Sequence, residues 1–183
     1  MEQMIGVQEQ ERQIAFSVGD TVAYRAEGVC DIVDIRKESF GANTQGEDYY
    51  ILSPRNDANS SIYVPVHNDA LTALMRPLLC RDEIVSLVAS LREERIAWAA
   101  ESRARNTVFR DILSRGERRE LIPLVLTVHE QMLKTLAAGK KVGSTESGAL
   151  ARACKLLRDE FSVAIPLHSD EELIAFLFGD KIS

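Results

Sequence analysis

The chain has 183 residues, of which 45% are hydrophobic and 27% charged, a composition typical of a globular protein and not of a disordered one. No apolar run approaches the ~20 residues that a membrane-spanning helix needs, and the polar start of the chain lacks the pattern of a signal peptide. We therefore expect a cytoplasmic protein without membrane contact. The formal net charge of −6 argues against a surface coated with basic residues.

Residues that commonly support catalysis or metal binding are scattered. The three cysteines, Cys30, Cys80 and Cys154, are an odd number and have neither a disulfide pattern nor the spacing of metal ligands. The sequence also lacks a nucleophile elbow, a phosphate-binding glycine loop, a dinucleotide fingerprint and an HExxH motif. We expect no enzymatic activity, no metal, no cofactor and no small-molecule substrate.

The first part of the chain predicts an N-terminal arm followed by strands. Residues 1–15 are polar and predict a loose arm. From Phe16, short apolar runs rich in β-branched and aromatic residues alternate with glycine, asparagine and aspartate, which predicts a small antiparallel sheet or barrel. The predicted strands are DTVAY (20–24), VCDIVDI (29–35), DYYILS (48–53) and SIYVPV (61–66).

One of these strands carries a proline. Ile62, Val64 and Val66 alternate and can share one face of a sheet. Pro65 has no N–H group for a ladder, so this strand is predicted at an edge. An edge strand leaves backbone groups unpaired, and a partner chain can use them by adding a strand of its own. Alternatively, the proline only protects the edge against aggregation.

After about Thr72, apolar residues recur at helical spacing. The predicted N-caps are Asp82, Ser144 or Thr145, and Ser169. The apolar stripe of the third helix extends to Leu136. Because the predicted strands precede the predicted helices along the chain, we expect an α+β protein with a separate β unit and helical unit. The helical runs cover residues 81–95, 99–114, 117–139, 144–165 and 169–178.

The only tryptophan, Trp98, lies in the most basic stretch of the chain. From Arg95 to Arg119 there are seven arginines and three acids, so this stretch has a net charge of +4. Because the whole chain has a net charge of −6, the remaining residues carry −10. One interpretation is a solvated helix face with internal ion pairs and a buried tryptophan. The other is a local positive surface that displays Trp98 to a polyanion.

Four stretches together resemble the CarD/CdnL family of bacterial transcription regulators that bind RNA polymerase. They are FSVGDTVAYRAEGVCDIVDI (16–35), YYILSP with SIYVPVHN (49–54 and 61–68), AWAAESRARNTVFRDILSRGERRELIPLV (97–125) and STESGALARACKLLRDEFSVAI (144–165). The resemblance covers about residues 16–178. A related domain occurs in transcription–repair coupling factor, and the helical part with its tryptophan separates the two.

The resemblance implies a fold and a domain organisation. We expect an α+β protein whose N-terminal domain is a small Tudor-like antiparallel β-barrel and whose C-terminal domain is all-helical. The expected limits are residues 1–15 for the arm, 16–72 for the domain that binds RNA polymerase and 73–183 for the domain that binds DNA.

The resemblance also implies partners and contact residues. The β domain would bind the RNA polymerase β subunit by extending a sheet. The helical domain would contact promoter DNA at the upstream edge of the bubble and stabilise the open complex, which also places the protein at the nucleoid. The expected polymerase contacts are Arg36, Lys37, Ile62, Tyr63, Val64 and Pro65. The expected DNA contacts are Trp98 as a wedge and Arg95, Arg103, Arg105 and Arg110 on phosphates.

Three features depart from the family pattern. Tyr63 replaces the arginine that some relatives carry before Val-Pro, Glu38 follows Arg36 and Lys37, and Glu101 interrupts the basic stretch. Tyr63 and Glu38 predict a different balance of polymerase contacts. Glu101 and the net charge of −6 predict weak DNA affinity unless the polymerase acts as a tether. We expect a monomer. The alternative function is a protein–protein adaptor that uses the β domain without touching DNA.

Overall fold

A computed structural model of the chain describes residues 16–40, 46–57 and 59–180. The predicted N-terminal arm, residues 1–15, lies outside the described residues. An antiparallel sheet comes first and a helical unit follows, so the protein is α+β as predicted.

The sheet contains the four predicted strands and a fifth that the sequence analysis missed. The order across the sheet is β4-β3-β2-β1-β5, and every neighbouring pair is antiparallel. A turn of 3-10 helix, Arg25–Glu27, joins β1 to β2. The missed strand has only three residues, too few to show an alternation. The strands are β1 (Thr21–Tyr24), β2 (Gly28–Glu38), β3 (Glu47–Pro54), β4 (Ile62–Pro65) and β5 (Met75–Pro77).

The sheet is open, which corrects the prediction of a small barrel. In the described residues, β4 and β5 form the two edges and do not pair with each other. The carbonyl oxygen of Pro77 in β5 instead accepts hydrogen bonds from the Arg118 guanidinium at 3.3 and 3.5 Å, so this edge lies against the helical unit. Short alternating strands look the same in an open sheet and in a barrel, so the sequence pattern did not separate the two.

One face of the sheet forms a small hydrophobic core. Ile32, Leu52 and Val64 come from three neighbouring strands and are at most 1% exposed. The alternating side chains, among them Tyr49 and Tyr63, lie on the other face because successive residues of a strand point to opposite sides. The edge position predicted for the strand around Pro65 is confirmed.

The helices form a second core around the middle of the longest one. All eight residues from Leu121 to Val128 are buried, so α4 is surrounded by its neighbours there. Leu136 is 56% exposed, and the apolar stripe predicted to reach it ends earlier, because the last turns of α4 extend beyond the core. The helices are α1 (Asp69–Thr72), α2 (Arg81–Leu91), α3 (Ser102–Arg115), α4 (Arg118–Ala137), α5 (Ser144–Phe161) and α6 (Asp170–Phe178).

The start of α2 differs from the prediction. Cys80, and not Asp82, is the N-cap, and its N–H donates to the Glu83 carboxylate at 2.8 Å. This bond lowers the pKa of Glu83 because it stabilises the ionised carboxylate. The helix therefore starts two residues earlier than a cap at Asp82 requires.

The start of α5 also differs, whereas that of α6 is as predicted. Gly143 is the N-cap of α5 and no side chain caps it, so Ser144 and Thr145 are helical residues and not caps. Ser169 caps α6, and its hydroxyl oxygen accepts a hydrogen bond from the Glu172 N–H at 3.2 Å. Within the part of the chain that the structure describes, no helix is long and apolar enough to cross a membrane.

Candidate interaction surfaces

The outer side of β4 offers few backbone groups. Val64 pairs with Tyr50 of β3, and the Val66 N–H donates to the Asp48 carbonyl at 2.8 Å. Because bonding alternates along an antiparallel strand, the N–H and C=O of Tyr63 point away from β3. No other described strand pairs with that side. The adjacent Pro65 has no N–H, and its carbonyl accepts a hydrogen bond from Asn68 at 3.2 Å.

The side chains of β4 divide between core and surface. Val64 is fully buried and Ile62 packs against the same core, so neither presents its side chain to a partner. Tyr63 is 37% exposed and lies on the outer face. Of the residues expected to contact the polymerase, Ile62 and Val64 therefore support the edge, whereas Tyr63 is displayed on it.

Tyr63 belongs to an aromatic cluster of three residues, Phe40, Tyr49 and Tyr63. The ring centroid of Phe40 lies 5.2 Å from those of both tyrosines, in edge-to-face arrangements. Phe40 is 59% exposed. Phe40 and Tyr49 were not among the contact residues expected from the sequence. The alternation in DYYILS nevertheless places Tyr49 on the face opposite to that of the core residue Tyr50.

One of the two basic residues near this cluster, Arg36, is paired with acids. Arg36 lies opposite Tyr49 in the ladder and pairs with Glu38 at 2.7 Å and with Asp34 at 3.1 Å. The hydrogen bond that Arg36 donates to Glu38 raises the pKa of Arg36. Lys37 is exposed on the same strand. Glu38, one of the departures from the family pattern, thus offsets part of the charge of Arg36.

The second surface is the tryptophan loop, residues 92–101 between α2 and α3. Trp98 is half-buried, and its ring centroid lies 6.1 Å from that of the core residue Phe109. The loop is anchored to α4 by a hydrogen bond of 3.0 Å from the Ile96 N–H to the Thr127 hydroxyl. Trp98 is therefore neither fully buried nor fully exposed, because it packs on the helical core and also meets solvent.

Arg105 holds Trp98 from α3. Its guanidinium carbon lies 4.8 Å from the centroid of the Trp98 ring, a cation–π contact. The same guanidinium donates to Glu146 at 2.7 and 3.0 Å and to the carbonyls of Ala99 and Ala100. Arg105 and Glu146 are only 15% and 12% exposed. Arg105 is thus occupied inside the protein.

Arg95 is occupied in a similar way at the other end of the loop. It makes a two-pronged pair with the Glu130 carboxylate at 2.6 and 3.2 Å and donates to the carbonyls of Arg92 and Glu94. The pKa of Glu130 is lowered, chiefly by this hydrogen bond from Arg95. Arg95 therefore fixes the loop against α4.

Arg103 and Arg110 are available for a partner. Both are exposed on α3, and neither side chain has a hydrogen bond or ion pair among the described residues. They are seven residues apart, which places them on one face of the helix. This face begins beside the tryptophan loop, at the N-terminus of α3, whose first turn contains no acid.

A crevice of about 340 Å³ lies next to Trp98. Gln131 and Thr135 of α4 contribute to its wall, and Lys141 contributes from the loop that follows α4. The sequence analysis missed Lys141, although the pair of lysines in GKKVG (139–143) is a local signal of positive charge.

These features define a class of protein: an interaction protein that offers a sheet edge in one part and an aromatic residue among arginines in another. The family model described as the CarD-like/TRCF RID domain matches residues 16–79. This part of the chain is a CarD-like domain, a type of domain that interacts with the RNA polymerase β subunit. The match confirms the resemblance over these residues and supports a transcription-related role. The matched residues are about a third of the chain. No curated protein matches the sequence.

Proposed function

We propose that this protein is a transcription regulator that docks on the RNA polymerase β subunit through the β4 edge and stabilises the open promoter complex through the tryptophan loop. The main support is the CarD-like domain at residues 16–79 together with the unpaired outer side of β4. In this proposal the helices from α2 onward, within the predicted DNA-binding domain of residues 73–183, contact DNA without reading its sequence. The protein acts as a monomer on the nucleoid.

The β4 edge can accept a strand of the polymerase over a short distance. Tyr63 offers one N–H and one C=O, and Pro65 ends the edge because it lacks an N–H and its carbonyl is bonded to Asn68. Two backbone hydrogen bonds fix the direction of an added strand, and the side chains around them supply most of the contact area. Phe40, Tyr49 and Tyr63 are well placed for that role, because aromatic residues are enriched at such interfaces.

Trp98 can act at the edge of the bubble without being fully exposed. Its contacts with Phe109 and Arg105 hold the ring in one orientation, which reduces the entropy lost when a base stacks on it. Stacking of one base on an aromatic side chain contributes roughly 1–3 kcal/mol. A gain of that size shifts the closed-to-open equilibrium about fivefold to over a hundredfold.

Of the four arginines expected on phosphates, the structure favours two. Arg103 and Arg110 are exposed and unpaired in the described residues, so they can neutralise phosphates at no internal cost. Arg95 and Arg105 are paired with Glu130 and Glu146, and we assign them to holding the tryptophan loop. Two free arginines give modest affinity, so the polymerase has to act as a tether.

The docking half of the proposal is tested with two variants of one residue. Tyr63→Ala removes the aromatic ring and keeps the N–H, whereas Tyr63→Pro removes the outward N–H as well. Because that N–H does not bond to β3, the proline leaves the ladder intact. Affinity for the polymerase β subunit, measured by calorimetry, should fall for Tyr63→Ala and fall further for Tyr63→Pro. Equal affinity for all three proteins would overturn docking at β4.

The DNA half is tested by the lifetime of open complexes. Trp98→Ala should shorten the lifetime while the affinity for polymerase alone stays at the wild-type value. An unchanged lifetime with intact polymerase binding would instead support the alternative, an adaptor that docks through the β domain and does not touch DNA.

A further inference from the structure

The α3–α4 turn is in direct backbone contact with the sheet. Gly116 ends α3 in the left-handed conformation, with φ of 64°. A Cβ atom placed on it would lie 2.1 Å from the carbonyl oxygen of Arg25 in the 3-10 turn between β1 and β2. Only glycine fits there, because both the positive φ and the missing side chain are required. The end of α3 therefore rests on the backbone of the sheet.

Arg76 of β5 also binds the α3–α4 turn. Its guanidinium donates to the Gly116 carbonyl and to the Glu117 carboxylate, at 2.7 Å in each case. The Arg76 side chain is only 12% exposed, and its Nε is buried without a hydrogen-bond partner. The two bonds that Arg76 makes both join β5 to the α3–α4 turn, and they offset the cost of its unsatisfied Nε.

Two further contacts extend the same region. Arg118, the first residue of α4, donates to the Pro77 carbonyl of β5 and pairs with Glu160 of α5, where both side chains are almost fully buried. Leu156 of α5 lies 3.5 Å from the position of a Cβ on Gly28 in β2. Helices α3, α4 and α5 thus contact strands β2 and β5 and the 3-10 turn Arg25–Glu27. We call this contact region the joint.

The joint lies between the two candidate surfaces. Helix α3 has 14 residues, so it is about 21 Å long. Its C-terminus rests on the joint and its N-terminus follows the tryptophan loop. The β4 edge is four strand positions away from β5, or about 19 Å across the sheet. A rotation at the joint therefore moves Trp98 relative to Tyr63.

We propose that the joint fixes the direction of α3 relative to the sheet, so that the β4 edge and the tryptophan loop engage two partners at once. Gly116 and Arg76 are positioning residues: they form neither surface and act through the orientation of α3. The rigidity of the joint is a property of the free protein. Its consequence for open complexes rests on the proposed function.

The rigidity is tested on the free protein by distances between two spin labels. The labels are attached at Ser61→Cys beside β4 and at Ala104→Cys on α3, in a Cys80→Ser background. Serine keeps a capping group at that helix start, and the remaining cysteines, Cys30 and Cys154, are buried. The double-labelled parent should give one narrow distance distribution.

Two variants loosen the joint and one serves as a control. Gly116→Ala collides with the Arg25 backbone, and Arg76→Met removes both bonds to the turn without any backbone strain. Gly139→Ala is the matched control, because Gly139 has φ of 69° but nothing within 4 Å of its Cβ position. The first two should broaden or shift the distribution, and the control should not.

The functional readout separates positioning from folding. In both joint variants the affinity for the isolated β subunit should remain at the parent value, while the gain in open-complex lifetime should fall about tenfold or more as simultaneous engagement is lost. Arg76→Met decides the outcome if Gly116→Ala does not fold. A parent-like distance distribution in folded Arg76→Met would overturn the proposal. A further outcome is that the variants broaden the distance distribution while the parent protein has no effect on open complexes. That result would support the joint and reject only the proposed function.

Discussion

Arg105 lies over the ring of Trp98, with its guanidinium carbon 4.8 Å from the ring centroid, and is held there by Glu146 at 2.7 Å. The sequence predicts that Arg105 contacts a phosphate, and this relationship gives the same guanidinium partners inside the protein. A guanidinium that stacks on an aromatic ring and pairs with a carboxylate has few donors left for a phosphate. The charge near Trp98 thus serves first to orient the ring.

Because Trp98 is the only tryptophan, its fluorescence reports this contact directly. Arg105→Ala removes the cation–π contact and the bonds to the carbonyls of Ala99 and Ala100. The ring should become more mobile and more hydrated. We expect a red shift of the emission maximum and stronger quenching by acrylamide than in the wild type.

Arg103→Ala is the matched control for this measurement. Arg103 is exposed and has no bonded partner among the described residues, so its loss should leave the emission of Trp98 unchanged. A similar red shift in both variants would mean that Arg105 does not hold the ring. A spectrum of Arg105→Ala identical to that of the wild type would mean the same.

Salt dependence distinguishes the free arginines from the paired ones. Each phosphate contact contributes about 0.9 to the slope of log affinity against log salt concentration. Arg103→Ala and Arg110→Ala should each lower that slope by about one for binding to a polymerase–promoter complex, relative to polymerase alone. The measurement is a titration of labelled protein over a salt series.

Arg55→Ala supplies the control for net charge. Arg55 is paired with Asp31 at 2.8 Å in the sheet, far from α3 in the sequence, and its loss changes the net charge by the same amount. We expect no change of slope for this variant. If it lowered the slope as much as Arg103→Ala, the effect would come from overall charge and not from a contact on α3.

The fold could be predicted in outline because its signals are local. The four longer strands followed from alternating residues between turn-forming ones, and the edge position of β4 followed from Pro65. The predicted helical run ends at residue 114, within one residue of the end of α3 at Arg115. The opening of the sheet could not be predicted in this way, since it depends on contacts between β5 and the start of α4 that lie 41 residues apart.

The candidate site shows the same division. The sequence indicated the tryptophan and its arginines, but it could not assign their partners. Arg95 pairs with Glu130 across 35 residues, and Arg105 pairs with Glu146 across 41. Such pairs depend on how α4 and α5 pack beside α3. The aromatic cluster of Phe40, Tyr49 and Tyr63 has a similar origin, because three strand regions have to meet before it exists.

The three cysteines should differ sharply in reactivity. Burial raises the pKa of both the Cys30 and the Cys154 thiols to about 12, whereas Cys80 is exposed. At about pH 8 the buried pair is thiolate only to an extent on the order of 10⁻⁴, and the thiolate is the reacting form. A chromogenic disulfide reagent should therefore modify one thiol rapidly in the native protein and all three after unfolding. Rapid native reaction in Cys80→Ser would contradict this assignment.

The stability of the joint should depend on pH through Glu160. Burial raises the pKa of this carboxyl above its ordinary value of 4.5, although Arg118 and Arg76 act in the opposite direction. A raised pKa means that the folded state keeps a proton that the unfolded chain has released. The associated stabilisation is complete below pH 4.5. It is lost as the pH rises through the raised pKa of Glu160.

Glu160→Gln isolates this effect, because glutamine has nearly the same shape and does not titrate. We expect the free energy of unfolding of the wild type, minus that of Glu160→Gln, to decrease as the pH rises from about 4 to about 7. Urea denaturation over that range, with Glu120→Gln as a control for a more exposed carboxylate that pairs with Arg115, measures the difference. An increase with pH would show that the charges of Arg118 and Arg76 outweigh burial and that the pKa of Glu160 is depressed.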